Sequence, residues 1–163
     1  MSTVTSLARA VGGVGNPSRK AYFVQQEVDF AAAATAKGTA LAAADIIETI
    51  SVPAGSMVVN AGIQVVEAAV GGTGTTLDLG VTGVDADVFV DGFTFDGAAA
   101  AAYAQNAAAF QPVVLGAADT IDVLVQAGST VSISGKIRVW AILMDVSDVG
   151  DTAAAEVDRD QLA

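Results

Sequence analysis

The sequence predicts an all-β protein whose body is a β-sandwich or jelly roll. Three observations carry this expectation. From Ala21 onward, apolar and polar residues alternate with period two in one segment after another. Turn-forming residues separate those segments, at Pro53-Ala54-Gly55, at Gly71, Gly72 and Gly74, and at Gly128-Ser129. The 163 residues suffice for one domain with a proper core and are too few for two comfortable ones. Seven to nine short strands with turns between them fit two packed antiparallel sheets, while their spacing alone does not choose a topology.

Taken in order, residues 1–20 read as an extended arm, because "VGGVGNPS" interrupts any regular structure. A body over 21–148 begins with "AYFVQQEVDF", where Tyr22, Val24, Val28 and Phe30 share one face and Gln25, Glu27 and Asp29 the other. The alanine-rich run 30–45 is assigned to a strand-connecting loop broken at Gly38. "DIIETISV" is a strand ended by Pro53-Ala54-Gly55, a sequence suited to a type II turn. In "MVVNAGIQVV", Met57, Val59, Ile63 and Val65 are expected on one face, before a flexible glycine turn at 71–74. "TTLDLGV" sends Leu77, Leu79 and Val81 inward and Asp78 outward. Gly83 to Asp87 form a connection, and "VFVDGF" starts the next strand with Asp91-Gly92 as a turn. Over 98–109 a short surface helix and an ordered loop lying on the sheet both fit, since Tyr103 and Phe110 are seven residues apart on a helix of good formers. "TIDVLV" directs Ile121, Val123 and Val125 inward, and "STVSIS" does the same with Val131 and Ile133. "KIRVWAILMDV" is apolar on both sides after Lys136 and Arg138, which assigns Trp140 to the core. The acidic stretch 149–163 is a tail.

Composition narrows the chemistry. The chain has neither cysteine nor histidine, which removes disulfides, thiolate and imidazole metal ligands, and the Ser-His and Cys-His nucleophile pairs. The net charge of −11 argues against nucleic acid or an anionic membrane as partner of the body. No run approaches the roughly 18 strongly apolar residues of a membrane span, and the first residues lack the apolar stretch of a signal peptide. A soluble, unprocessed protein made in a cytoplasm is expected. Charge is unevenly placed: residues 1–26 carry Arg9, Arg19 and Lys20 and no acid, a segment of +3. The remainder sets all 18 acids against Lys37, Lys136, Arg138 and Arg159, giving −14.

The acids of "LDLGVTGVDADVFVDGFTFDG" (77–97) invite a metal reading. With Asp85 and Asp87 at the first and third positions of a calcium loop, Phe89 and Val90 occupy the fifth and sixth, where an oxygen ligand and a glycine belong. The EF-hand reading fails. A looser ion site at Asp85 and Asp87 stays open beside the alternative of solvated loop carboxylates. Asp119 with Asp122, or Asp85 with Asp87, supply the pair that glycoside hydrolysis requires, but nothing in the sequence sets them across a cleft. "VGGTGTT" lacks the Lys-Ser/Thr ending and the following helix of a phosphate loop, and reads as a turn. No enzyme, cofactor or defined metal site is expected.

Across 52–92, "VPAG", "AGIQVVEAA" and "TLDLGVTGVDADVFVDG" follow one another in an order that resembles the small head-decoration, or cement, proteins of tailed bacteriophages, including phages of cyanobacteria. "GKIRVWAILMDVSD" continues the similarity, which spans residues 21–148. The resemblance implies a jelly-roll body, assembled as a homotrimer on the outer surface of an icosahedral head and clamping the major capsid protein there. It implies no active site, and places the protein in the virion after synthesis in the host cytoplasm. Within that frame the basic arm is expected to contact capsid subunits through Arg9, Arg19 and Lys20. The alternative is a receptor- or glycan-binding β-sandwich of a fibre or surface appendage, whose exposed aromatics only Phe89, Phe93, Phe95 and Tyr103 could supply; packing of these phenylalanines in the hairpin or the trimer interface is the preferred reading.

Overall fold

The computed structural model describes residues 20–105, 111–130 and 134–146, with 127–130 described by their backbone alone. Within these residues, nine strands and one helix follow in the order β1 (Tyr22–Asp29), α1 (Phe30–Lys37), β2 (Ile46–Val52), β3 (Ser56–Val70), β4 (Thr73–Val81), β5 (Asp85–Thr94), β6 (Tyr103–Gln105), β7 (Val113–Leu115), β8 (Asp119–Thr130) and β9 (Ser134–Asp145). They form two sheets with antiparallel pairing throughout. Sheet A runs β1-β9-β3-β6, with β7 also paired to β3, and sheet B runs β2-β8-β4-β5. The first strand therefore pairs with the last, and most connections pass from one sheet to the other. If β6 and β7 count as one interrupted strand, this is the eight-position order of a jelly roll.

Local chemistry explains the elements. Alternation makes β1 a strand until Asp29, whose side chain accepts a hydrogen bond from the Ala32 N–H at 3.0 Å and so caps a helix. The loop expected after Phe30 is in fact this helix. Its alanines have the best helical propensity, and Gly38, at φ 80°, terminates it by returning its N–H to the Ala34 and Thr35 carbonyls. The break at Gly38 stands where the sequence put it. After β2, Gly55 takes φ 75° and the Ser56 N–H reaches the Pro53 carbonyl at 3.2 Å, which closes the expected turn.

Bulges produce most of the other differences. In β3 the pairing with β9 slips between Val58 and Asn60, so the buried set changes parity from Val58 to Ala61, Ile63 and Val65. Met57 and Val59 consequently leave the inner face. In β5 the pairing slips at Asp91-Gly92, so these residues form a bulge inside the strand, with Gly92 at φ 65°, where a turn was expected. The segment 98–105 is neither helix nor loop alone: a turn at 100–101 leads into β6, which pairs with β3. Gly128-Ser129 continues β8 instead of turning. Val131, Ile133 and Phe110 lie outside the described residues.

The core lies between the sheets. Ile63, Val65, Ile137, Val139 and Leu143 from sheet A join Leu77, Leu79, Val81, Ile121, Val123 and Val125 from sheet B in one buried cluster. At one end Phe30 packs on Phe95 with ring centroids 4.7 Å apart. Gly135 sits under this pair at φ 118°, where a Cβ would lie 2.8 Å from the Phe95 ring and 2.9 Å from the Ala69 Cα. Strand β9 buries only its odd residues, so it is not covered equally on both faces. Trp140 belongs to the half-buried outer row and not to the core, because it shares the parity of Lys136 and Arg138.

Two stability outcomes follow. Phe30→Ala removes a fully buried ring and lowers the unfolding free energy by about 3–5 kcal/mol in urea titration. Gly80→Ala places a Cβ within 2.2 Å of the Asp85 carbonyl oxygen and 2.3 Å of the Ala86 carbonyl carbon, both backbone atoms that must move. It is expected to cost about 1–3 kcal/mol.

Candidate interaction surface

The outward face of sheet A is built by register. Phe23, Gln25, Glu27 and Asp29 of β1 lie opposite Ile142, Trp140, Arg138 and Lys136 of β9. On the other side of β9, Met57, Asn60, Gly62, Gln64 and Glu67 of β3 meet Met144, Ile142, Trp140, Arg138 and Lys136. Tyr103 of β6 continues the row beyond Gln64, and Val114 of β7 stands beyond Met57. The face thus divides along the strands. One end is apolar, with Phe23, Ile142, Met144, Met57 and Val114 around Trp140. The other is ionic.

Trp140 organises the middle of this face. Its indole lies over Gly62, where a Cβ would come within 2.7 Å of the ring, so glycine lets the ring settle against the sheet. Phe23 stacks on it with centroids 6.1 Å apart and planes inclined by 18°. Beside the pair, Gln25, Gln64, Tyr103 and Arg138 complete a shallow trough of about 340 Å³. The Arg138 Nη1 donates to Gln64 Oε1 at 3.1 Å, which aims the guanidinium along the sheet. Phe23 and Tyr103 are 58% and 67% exposed, large values for aromatic rings. Asn60 Oδ1, in the same row, is buried without a hydrogen-bond partner.

Charge separates the two faces of the sandwich. On sheet A, Lys136 reaches Asp29 at 3.6 Å and Glu67 at 3.7 Å, and Arg138 is the register partner of Glu27. Opposite signs interleave there. The strands of sheet B carry Glu48, Asp78, Asp85, Asp87, Asp91, Asp119 and Asp122 and no lysine or arginine. Two of these acids are buried. Asp78 accepts from the Gly92 N–H at 2.7 Å and from Gln126 Nε2 at 3.3 Å, so the outward residue of β4 is covered by the bulge of β5. Asp122 accepts from the hydroxyls of Thr82 and Thr120, each at 2.6 Å. These carboxylates tie neighbouring strands together.

The remaining expected residues can be placed against this frame. Arg9 and Arg19 lie outside the described residues, and Lys20 is exposed immediately before β1. Asp85 and Asp87 begin β5, with Asp85 exposed and Asp87 half-buried. Among the described residues no group of three or more carboxylates is arranged to hold a metal ion. Of the four aromatics a binding module would have to expose, Phe89 and Phe95 are fully buried and Phe93 packs against the core, as the packing reading has it, and Tyr103 alone is well exposed. Phe23 and Trp140 were not anticipated at the surface. Their signal was parity: each falls in step with the charged residues of its own strand.

The neighbouring Asp85 carboxylate, through a hydrogen bond, raises the Asp87 carboxyl above its ordinary value, helped by partial burial and by repulsion from Asp85, Asp91 and Asp78. A carboxyl raised on folding destabilises the native state above that raised value and is neutral in effect below the unfolded value. Asp87→Asn is therefore expected to stabilise at pH 7, by no more than about 0.5 kcal/mol at so solvated a site. The gain vanishes as pH falls below about 3.9, which thermal melts at pH 7 and pH 3.5 measure.

The fold has counterparts among phage capsids. A chain of the cyanophage Pam1 capsid asymmetric unit matches with a TM-score of 0.61 at 16% identity, over 87% of this chain and 96% of that one. A chain of the capsid of Ralstonia phage GP4 matches with a TM-score of 0.58 at 19% identity, over 82% of this chain and 90% of that one. No family model and no curated protein matches the sequence. The all-β jelly-roll fold is therefore one this chain shares with chains of phage capsids.

Proposed function

We propose that this chain is a structural virion protein that binds the outer surface of a phage head as a decoration or cement protein, assembled as a trimer, and stabilises the capsid. The observation that carries the reading is the likeness to two phage capsid chains along nearly their whole length, 96% and 90%. The sequence resemblance across 21–148 points the same way. In this reading residues 1–20 are an arm, 21–148 the sandwich and 149–163 an acidic tail. The major capsid protein is the partner, and no nucleic acid, membrane, cofactor or catalytic step is involved.

The arm supplies attachment. Arg9, Arg19 and Lys20 stand on a segment without acids, ahead of a body of opposite sign, and make charge-assisted contacts with acidic patches of the shell. Many copies on one shell multiply a modest affinity per contact. A receptor- or glycan-binding module is the second reading, favoured by the stack of the exposed Phe23 ring on half-buried Trp140.

Capture onto purified heads that lack the protein tests the first reading. Saturable binding with increased resistance of the heads to heat is the expected result, and absence of capture overturns it. Deletion of residues 2–20 is expected to weaken capture about three- to hundredfold, since three exposed ion pairs contribute roughly 0.2–1 kcal/mol each. The loss shrinks as salt is raised. Equal occupancy at low salt removes the arm from the account and leaves decoration intact.

A further inference from the structure

An acidic protein of net charge −11 resists bringing its own copies together, unless they meet where the charge is locally balanced. Sheet B is no such place, since its strands carry carboxylates and no cation. The outward face of sheet A is different in both respects that matter. Its ionic end pairs Lys136 with Asp29 and Glu67 and sets Arg138 beside Glu27, so opposite charges lie within reach of one another. Its apolar end offers Phe23 and Trp140 with Met57 and Met144, and Tyr103 stands in the Gln64–Arg138 row beside it; aromatic residues, methionine and arginine are the types enriched in protein interfaces.

From this we infer that the outward face of sheet A is the surface through which copies of this chain associate, with the Phe23–Trp140 stack as its anchor and Tyr103 at its border. The inference rests on the assembled state proposed above but not on the capsid partner. A second copy fits the face better than an acidic or a basic partner would. A face that interleaves both signs lets a positive group of one copy meet a negative group of the next around a common axis, whereas a partner of one sign would leave half of these charges opposed. Association buries rings that are 58% and 67% exposed in the single chain. Sheet B, whose strands carry carboxylates and no cation, stays turned away from the contact, and this limits growth beyond a closed assembly.

The test is the mass of the full-length protein by light scattering over a hundredfold range of concentration. Phe23→Glu and Tyr103→Glu are compared with Val84→Glu, a control that adds the same charge at a site 61% exposed in the turn before β5. Far-UV circular dichroism verifies that all three fold, as expected for changes at exposed positions. The wild type and Val84→Glu are expected to have a small whole-number multiple of the chain mass. The two patch variants shift to the mass of one chain, with apparent self-dissociation constants raised at least a hundredfold. Trp140, the single tryptophan, reports the same event as a blue shift of emission with concentration in the wild type. A wild type of single-chain mass throughout overturns the inference, as do patch variants that assemble like the wild type. If Phe23→Glu still assembles but no longer binds heads, or no longer binds arrayed glycans, the face belongs to the capsid or to a sugar and the inference falls. Failure of the decoration reading looks different: an assembled wild type that undecorated heads do not capture.

Discussion

Every surface feature of this protein hangs on the apolar layer trapped between its two sheets. Ile63, Val65, Ile137 and Val139 from one sheet and Leu77, Leu79, Ile121 and Val123 from the other are each fully buried or nearly so. Burying a side chain of this size contributes about 1.5–3 kcal/mol before the entropy of ordering it is subtracted. With no cysteine to cross-link the chain, this layer has to hold the sandwich. It also fixes register, since a slip of one residue would send a whole buried row to the solvent. Once register is fixed, so is the composition of both outer faces. Phe23 stands beside Trp140, and Lys136 between Asp29 and Glu67, because Val24, Val28, Ile137, Val139 and Ala141 of the same strands are committed to the core.

Much of this was legible in the residues. The inward rows of β4 and β8 follow from strict alternation, as do the ends of β1 and β2 and the turn at Pro53-Ala54-Gly55. What alternation could not show is where it breaks. The slips near Val59 and at Asp91-Gly92 exchange the faces of a strand without any mark in hydrophobicity, because valines and alanines occupy both parities of β3. The run 30–37 misled for a different reason. Its alanines fit a loop on a sheet as well as a helix, and the deciding signal was the Asp29 cap together with Gly38. Trp140 was assigned inward because tryptophan is large and its strand is apolar. The parity of Lys136 and Arg138, two and four residues earlier, pointed the other way.

The surface is more informative than the composition from which it is made. A net charge taken over the chain says only that the body is acidic. The fold resolves that charge into two faces, one holding carboxylates alone and the other holding both signs beside an aromatic pair. Even the acids of sheet B are not equivalent. Asp78 and Asp122 are buried and bonded across strands, so they serve the fold, while Asp85 and Asp87 sit together at the start of β5 and repel. The carboxylate cluster that suggested an ion site in the sequence is thus split between structural bonds and a solvated strand end. The faces that remain free are consistent with the contact role proposed above.

Assembly on a phage head through an unequal pair of faces is the central claim, and a cryo-electron microscopy reconstruction of the virion tests it most directly. The account predicts sandwich-shaped density on the outer surface of the shell, grouped so that the sheet A faces of neighbouring copies turn toward one another and the sheet B faces do not. A head surface without such density, or copies that meet across sheet B, would contradict it.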